Sequence, residues 1–216
     1  MRIKAVIFDM DGVLIEAKQW HYEALNRALG LFGYTITPSE HVTTYDGLPT
    51  RRKLEILTRD HGFPEALHAF VNEMKQIYTM EIVYRSCKPR FHHEIALSRL
   101  RSDGYTLGVA SNSIRKTVDV MMEKSHLSKY LHFTLSNQDV ARPKPDPEIY
   151  RKAAERARVS PCECVVVEDN VRGIEAATRA GTNVLRVDSV DEVEYHRIRK
   201  FIQFAEANLN TSTRAA

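Results

Sequence analysis

The 216 residues carry 31 Lys and Arg against 28 Asp and Glu, a net charge of +3, and 43% are hydrophobic, enough for one sizeable α/β domain with an insertion. No stretch approaches the roughly 20 consecutive apolar residues of a membrane helix, and mild basicity without a zinc or helix-turn-helix pattern gives no sign of nucleic-acid binding. Cys87, Cys162 and Cys164 lack the usual metal-ligand spacing; reduced thiols in a cytoplasmic protein are expected, with no secretory signal, because Met1 leads directly into an apolar run.

That run is the first predicted element. Val6, Ile7 and Phe8 are continuous, β-branched or aromatic, which suits a strand buried on both faces. It ends in Asp9 and Asp11, and Gly12 follows. Ligand sites in open α/β sheets lie outside the carboxyl ends of strands, so chemistry is expected here. Two carboxylates one residue apart repel unless a cation sits between them or one is protonated. A divalent metal meets that need, since hard oxygen ligands suit Mg²⁺. A plain Asp-Gly turn is the alternative.

From Glu16 to Arg85 the pattern is helical. Trp20, Ala24, Leu25, Ala28 and Leu29 recur at helical spacing and Gly30 and Gly33 end that helix. Leu54, Ile56 and Leu57 follow Thr50-Arg51-Arg52, and Leu67, Phe70, Val71, Met74 and Ile77 make another stripe. One of Arg51 and Arg52 is a candidate contact for a substrate anion, against the alternative of a solvated basic face. Lys75 is a weaker candidate. Arg90, His92 and His93 read as surface or hinge.

A second strand, Leu107 to Ala110, ends in Ser111-Asn112-Ser113 and passes into an amphipathic helix with Val118, Met121 and Met122. Arg142-Pro143-Lys144-Pro145-Asp146-Pro147 brackets a lysine before another helix. The spacing to Ile149, Tyr150, Ala153 and Ala154 favours Lys144 over Arg142 as the functional cation. A third run, Val165 to Val167, ends in Glu168-Asp169-Asn170, followed by Gly173 and a helical stretch closed by Gly181. Asn210 to Ala216 are small and polar and are expected to fray. Strand ends thus carry carboxylates and a hydroxyl, with an ammonium between them. Phosphoryl transfer needs such a set: a nucleophile, a proton shuttle, a metal site and donors for phosphate oxygens.

Four motifs in order, FDMDGVL at 8–14, VASNS at 109–113, KPDPEIY at 144–150 and VVVEDNVRG at 165–173, resemble those of the haloacid dehalogenase superfamily, in particular its small-molecule phosphatases and β-phosphoglucomutases. The resemblance implies a Rossmann-like, doubly wound parallel sheet at 1–15 and 86–208, a helical cap at 16–85, and a flexible tail at 209–216. It implies Asp9 as nucleophile, Asp11 as acid/base and Lys144 as charge-balancing partner. Gly12, Ser111 and Asn112 would bind phosphate. Mg²⁺ would be held by Asp9, the Asp11 carbonyl and Asp169, with Glu168 supporting through water. His21 matches a cap histidine of the phosphomutases, and Tyr45 to Arg51 resembles the substrate-specificity loop. The implied activity is Mg²⁺-dependent hydrolysis, by a monomer, of a small phosphorylated metabolite of the sugar or polyol class. A sugar phosphomutase is the alternative, and a non-catalytic binding protein a third. Glu16-Ala17 stands where relatives have Asp-Ser or Asp-Thr, which weighs against the mutase, and Lys88-Pro89-Arg90-Phe91 replaces a common Pro-Gly.

Overall fold

The computed structural model describes residues 2–214, and side chains as far as 208. In chain order the elements are β1 (Ala5–Phe8), α1 (Lys18–Gly30), a single turn α2 (Pro38–Glu40), α3 (Thr50–His61), α4 (His68–Ser86), α5 (Phe91–Ser102), β2 (Thr106–Ala110), α6 (Arg115–Lys124), β3 (Phe133–Leu135), α7 (Glu148–Ala157), β4 (Cys164–Glu168), α8 (Val171–Ala180), β5 (Asn183–Arg186) and α9 (Tyr195–Arg214). They form two compact units. One runs from the chain start to Glu16 and resumes at Lys88; the other is Ala17–Cys87.

The first unit is the parallel α/β sheet that the apolar runs predict. Its five strands lie in the order β3-β2-β1-β4-β5, every pair parallel. β1 and β4 are buried along their whole length, as continuous apolar runs require in a sheet covered on both faces. Ala5, Ile7, Cys164 and Val166 pack with Ile149, Tyr150 and Ala153 of α7 and Ala176 and Ala177 of α8. The alternate residues Val6, Phe8, Val165 and Val167 point to the opposite face, where they are also buried. Register positions the chemistry. Phe8 pairs with Val109 on one side and Val167 on the other, so Asp9, Ala110 and Glu168 end level, at the carboxyl edge of the central strands. α9 carries the backbone of 209–214 in a helix; Ala215 and Ala216, the end of the expected tail, lie outside the described residues.

The second unit is helical. Its core joins Leu25, Ala28 and Leu29 of α1 to Ile36, Tyr45, Leu54, Leu57, Phe63 and Val71. Helix α4 differs from the predicted stripe: Phe70 and Ile77 are exposed, while Lys75 and Thr79 are buried with Val71, Ile82 and Val83. Its buried face is set by packing along α1, which turns the helix by part of a turn from the phase that apolar residues alone suggest. Among the described residues no helix is long and apolar enough to cross a membrane.

Candidate active site

At the end of β1 the backbone closes a tight loop. The Met10 carbonyl accepts from the amides of Leu14 and Ile15 at 3.0 and 2.9 Å, and the Gly12 amide donates to the Ile15 carbonyl at 2.7 Å. Gly12 has φ +91°, a conformation that side chains resist. The loop leaves Asp9 and Asp11 at the sheet edge. Asp9 is only 7% exposed, and its Oδ1 accepts from Lys144 Nζ at 2.6 Å.

Lys144 also donates to Glu168 Oε2, at 2.8 Å. The same oxygen accepts from the Tyr150 hydroxyl, and Oε1 accepts from the amides of Asp169 and Asn170 at 3.2 and 3.1 Å. Glu168, 1% exposed, is therefore held by four donors. Gly173, in the first turn of α8, makes room for it: a methyl group there would land on the Glu168 carboxylate. Asn112 fixes the lysine from behind. Its Oδ1 accepts from the Lys144 amide at 3.1 Å and its Nδ2 donates to the Lys144 carbonyl at 3.4 Å. The side chain read as a phosphate ligand thus grips the Lys144 backbone.

Asp11 is reached from β2. Ser113 Oγ donates to Asp11 Oδ2 at 2.9 Å, and the Ser113 amide donates to Ser111 Oγ at 3.0 Å. Lys144 is shared by two carboxylates, Asp9 and Glu168, and Asp11 and Asp169 lie close enough to act on Asp9. Burial first, then Glu168, and further Asp169 and Asp11, push the Asp9 carboxyl well above the usual range, against the pull of Lys144. Burial would lower the Lys144 ammonium, but Asp9 and Glu168 outweigh it and raise its pKa. Burial and then Glu168 raise the Tyr150 phenol, so it stays a donor. Oxygens of Asp9, Glu168 and Asp169 all lie within 4.8 Å of one another. An all-oxygen set with excess negative charge fits a hard divalent cation such as Mg²⁺.

The helical-unit candidates fall in different environments. His21 Nδ1 lies 3.3 Å from Lys75 Nζ. The Arg51 side chain is 90% exposed and shares Glu55 with Arg52, at 3.2 and 2.7 Å. Lys53, the next residue, is the buried cation of that run; 100° of helical rotation per residue separates it from its neighbours. His41 is buried beside Tyr22, their ring centroids 5.0 Å apart; burial first, and then Lys53, push its imidazole down to about 4. Gly47 has φ +70°, the backbone freedom expected of a glycine in that loop. His93, read as surface or hinge, is instead buried, with its Nε2 on the Val190 carbonyl at 2.7 Å. Tyr150, Ser113, His41 and Lys53 were not singled out as functional from the sequence. Only Tyr150 and Ser113 had a signal there, since both lie inside the motifs, where Tyr150 reads as core and Ser113 as a helix lead-in.

A sequence profile described as haloacid dehalogenase-like hydrolase matches residues 6–187. The chain is 32% identical over 182 residues to a phosphorylated carbohydrates phosphatase of Thermotoga maritima, covering 83% of this chain and 82% of the relative. It is 28% identical to a phosphoglycolate phosphatase of Aquifex aeolicus, covering 83% and 82%. The fold is similar to a crystal structure of β-phosphoglucomutase from Clostridium difficile, with a TM-score of 0.82 at 22% identity over 95% of this chain and 99% of that one. The matched span runs from β1 through the end of β5 and so takes in every strand end that carries the carboxylates, the hydroxyl and the ammonium. The chain belongs to the haloacid dehalogenase-like hydrolase family.

Proposed function

We propose that this phosphoester hydrolase is a Mg²⁺-dependent phosphatase that cleaves a small phosphorylated metabolite of the sugar or polyol class through an aspartyl-phosphate on Asp9. The observation that carries this reading is the pairing of buried Asp9 with Lys144 at 2.6 Å, one residue from Asp11. The name of the Thermotoga relative, a phosphatase of phosphorylated carbohydrates, supports the substrate class.

Asp9 is the carboxylate placed to attack. The Asp9 oxygen–phosphorus bond forms as the bond from phosphorus to the alcohol oxygen breaks, and the leaving oxygen takes its electron pair and a proton from Asp11. Asp11 then takes a proton from water, whose oxygen attacks the same phosphorus and returns Asp9 as carboxylate. Lys144 holds Asp9 in place and favours its charged form, and would act on the transferred phosphoryl oxygens as a point charge. Ser111 offers its hydroxyl to those oxygens. Asp9, Asp169 and the Asp11 carbonyl would hold Mg²⁺, with Glu168, already held by four donors, behind them. When bound, the ion would neutralise charge between the carboxylate and the phosphate.

A panel of sugar and polyol phosphates assayed with Mg²⁺ tests this reading. Release of inorganic phosphate from at least one of them is expected; no release from any would overturn it. The His21–Lys75 pair keeps the phosphomutase as second reading. An isomeric sugar phosphate appearing in place of inorganic phosphate would select it.

A further inference from the structure

We propose that Ser113 is the positioning residue of the acid/base aspartate, holding the Asp11 carboxyl in one orientation through Oδ2. The inference rests on the phosphatase reading and adds a residue that neither the motifs nor the comparisons assign.

Three observations converge on it. The loop that carries Asp11 continues as Gly12-Val13-Leu14-Ile15-Glu16-Ala17 and contains no hydroxyl of its own. A hydroxyl arrives instead from 102 positions away, at 2.9 Å from Asp11 Oδ2. The residue that brings it is fixed at every polar group. Its amide donates to Ser111 Oγ at 3.0 Å, and its carbonyl accepts from the Asn137 amide at 3.0 Å. Ser113 therefore cannot swing away without breaking contacts to both neighbouring loops. A hydrogen bond to one carboxyl oxygen restricts rotation of the whole carboxyl group. The Asp11 carboxyl is thereby kept in one defined orientation. The same residue links Asp11 to Ser111, so the proton donor and the phosphate hydroxyl are kept in register by one side chain and its amide.

The test compares an alkyl phosphate that the wild-type enzyme hydrolyses with p-nitrophenyl phosphate, in Mg²⁺. The alkyl alcohol needs a proton to leave; nitrophenolate does not. The ratio kcat/KM reports steps up to the first irreversible one, here phosphoryl transfer, so the later water attack does not blur the comparison. Ser113→Ala keeps the amide bond to Ser111 and removes only the hydroxyl. General acid catalysis contributes about 10²–10⁴-fold, and loosening the acid should forfeit part of it. We expect kcat/KM to fall roughly ten- to a hundredfold on the alkyl ester and less than about threefold on the aryl ester. Ser113→Thr, which restores a hydroxyl, should recover most of the alkyl activity. Equal losses on both esters would make Ser113 merely structural and overturn the proposal, as would no loss on either. An inactive wild type on every ester would overturn the phosphatase reading together with this one; an active wild type confines failure to Ser113.

Discussion

Glu168 accepts four donors while 1% exposed, and this explains several residue choices at once. A buried carboxylate is tolerated only when its charge is paired and its lone pairs are used. Lys144 supplies the charge, Tyr150 and the amides of Asp169 and Asn170 just before α8 supply the remaining bonds, and Gly173 supplies the space. We expect Gly173→Ala to cost about 1–3 kcal/mol, the usual penalty of overpacking, and to lower turnover by more than tenfold as Lys144 loses its second anchor. Thermal unfolding and phosphate release check this. Unchanged values in both would mean that Glu168 moves freely aside. Asp9→Asn is expected to abolish turnover in a folded protein, since the amide neither attacks nor holds a cation. Its fold should be retained, because the change removes a carboxylate that Glu168, Asp169 and Asp11 repel. Turnover near wild type, with reversion to Asp excluded by mass spectrometry, would reject Asp9 as nucleophile.

At the scale of elements, α5 shows how a connection is pinned. His93 lies on its buried side and holds the Val190 carbonyl in the segment between β5 and α9. Burial first, partly offset by that carbonyl, pushes its imidazole down from 6.5 to about 4. The unfolded chain then binds a proton at higher pH than the native one. Stability from this group is complete above about pH 6.5 and is lost as pH falls towards about 4. His93→Gln keeps an amide donor but does not titrate. The urea midpoint of the wild type should drop further between pH 7 and pH 4.5 than that of the variant. Equal drops would assign the acid sensitivity to other groups. Helix α3 teaches a similar lesson about faces. In the run Arg51-Arg52-Lys53 the first two share Glu55 at the surface and the third is buried, although all three are cationic.

Across the sheet unit, the site draws on the ends of β1, β2 and β4 and on the segment before α7, and a cation held by Asp9, the Asp11 carbonyl and Asp169 would tie the ends of β1 and β4 together. Removing it should be felt both in chemistry and in stability. Chelation is expected to stop turnover and Mg²⁺ to restore it, while Ca²⁺, with its larger and looser coordination, does not. Mg²⁺ at about 100 times its Kd should add roughly 2.7 kcal/mol by mass action, read as a higher Tm. Asp169→Asn should lose that increment. Full activity in excess chelator would count against the metal, and an equal Tm rise in the variant against Asp169 as its ligand.

Much of this was legible in the sequence because it is local. Continuous apolar runs announce buried strands, as Val6 to Phe8 and Val165 to Val167 do. Asp9, Lys144 and Glu168 stand out by their place beside those runs or between prolines. What the sequence does not contain is register and helix phase. Phe8 pairing with both Val109 and Val167 sets Asp9 level with Glu168. The amide of Asn112, read as a phosphate ligand, turns to the Lys144 backbone, and in the stripe from Leu67 to Ile77 Val71 is buried as read while Phe70 and Ile77 are exposed and Lys75 is buried. Ser113 meets Asp11 across 102 residues. Types of chemistry follow from residue identity and neighbours along the chain; which atom holds which depends on contacts between segments far apart in sequence, and only the folded packing determines those.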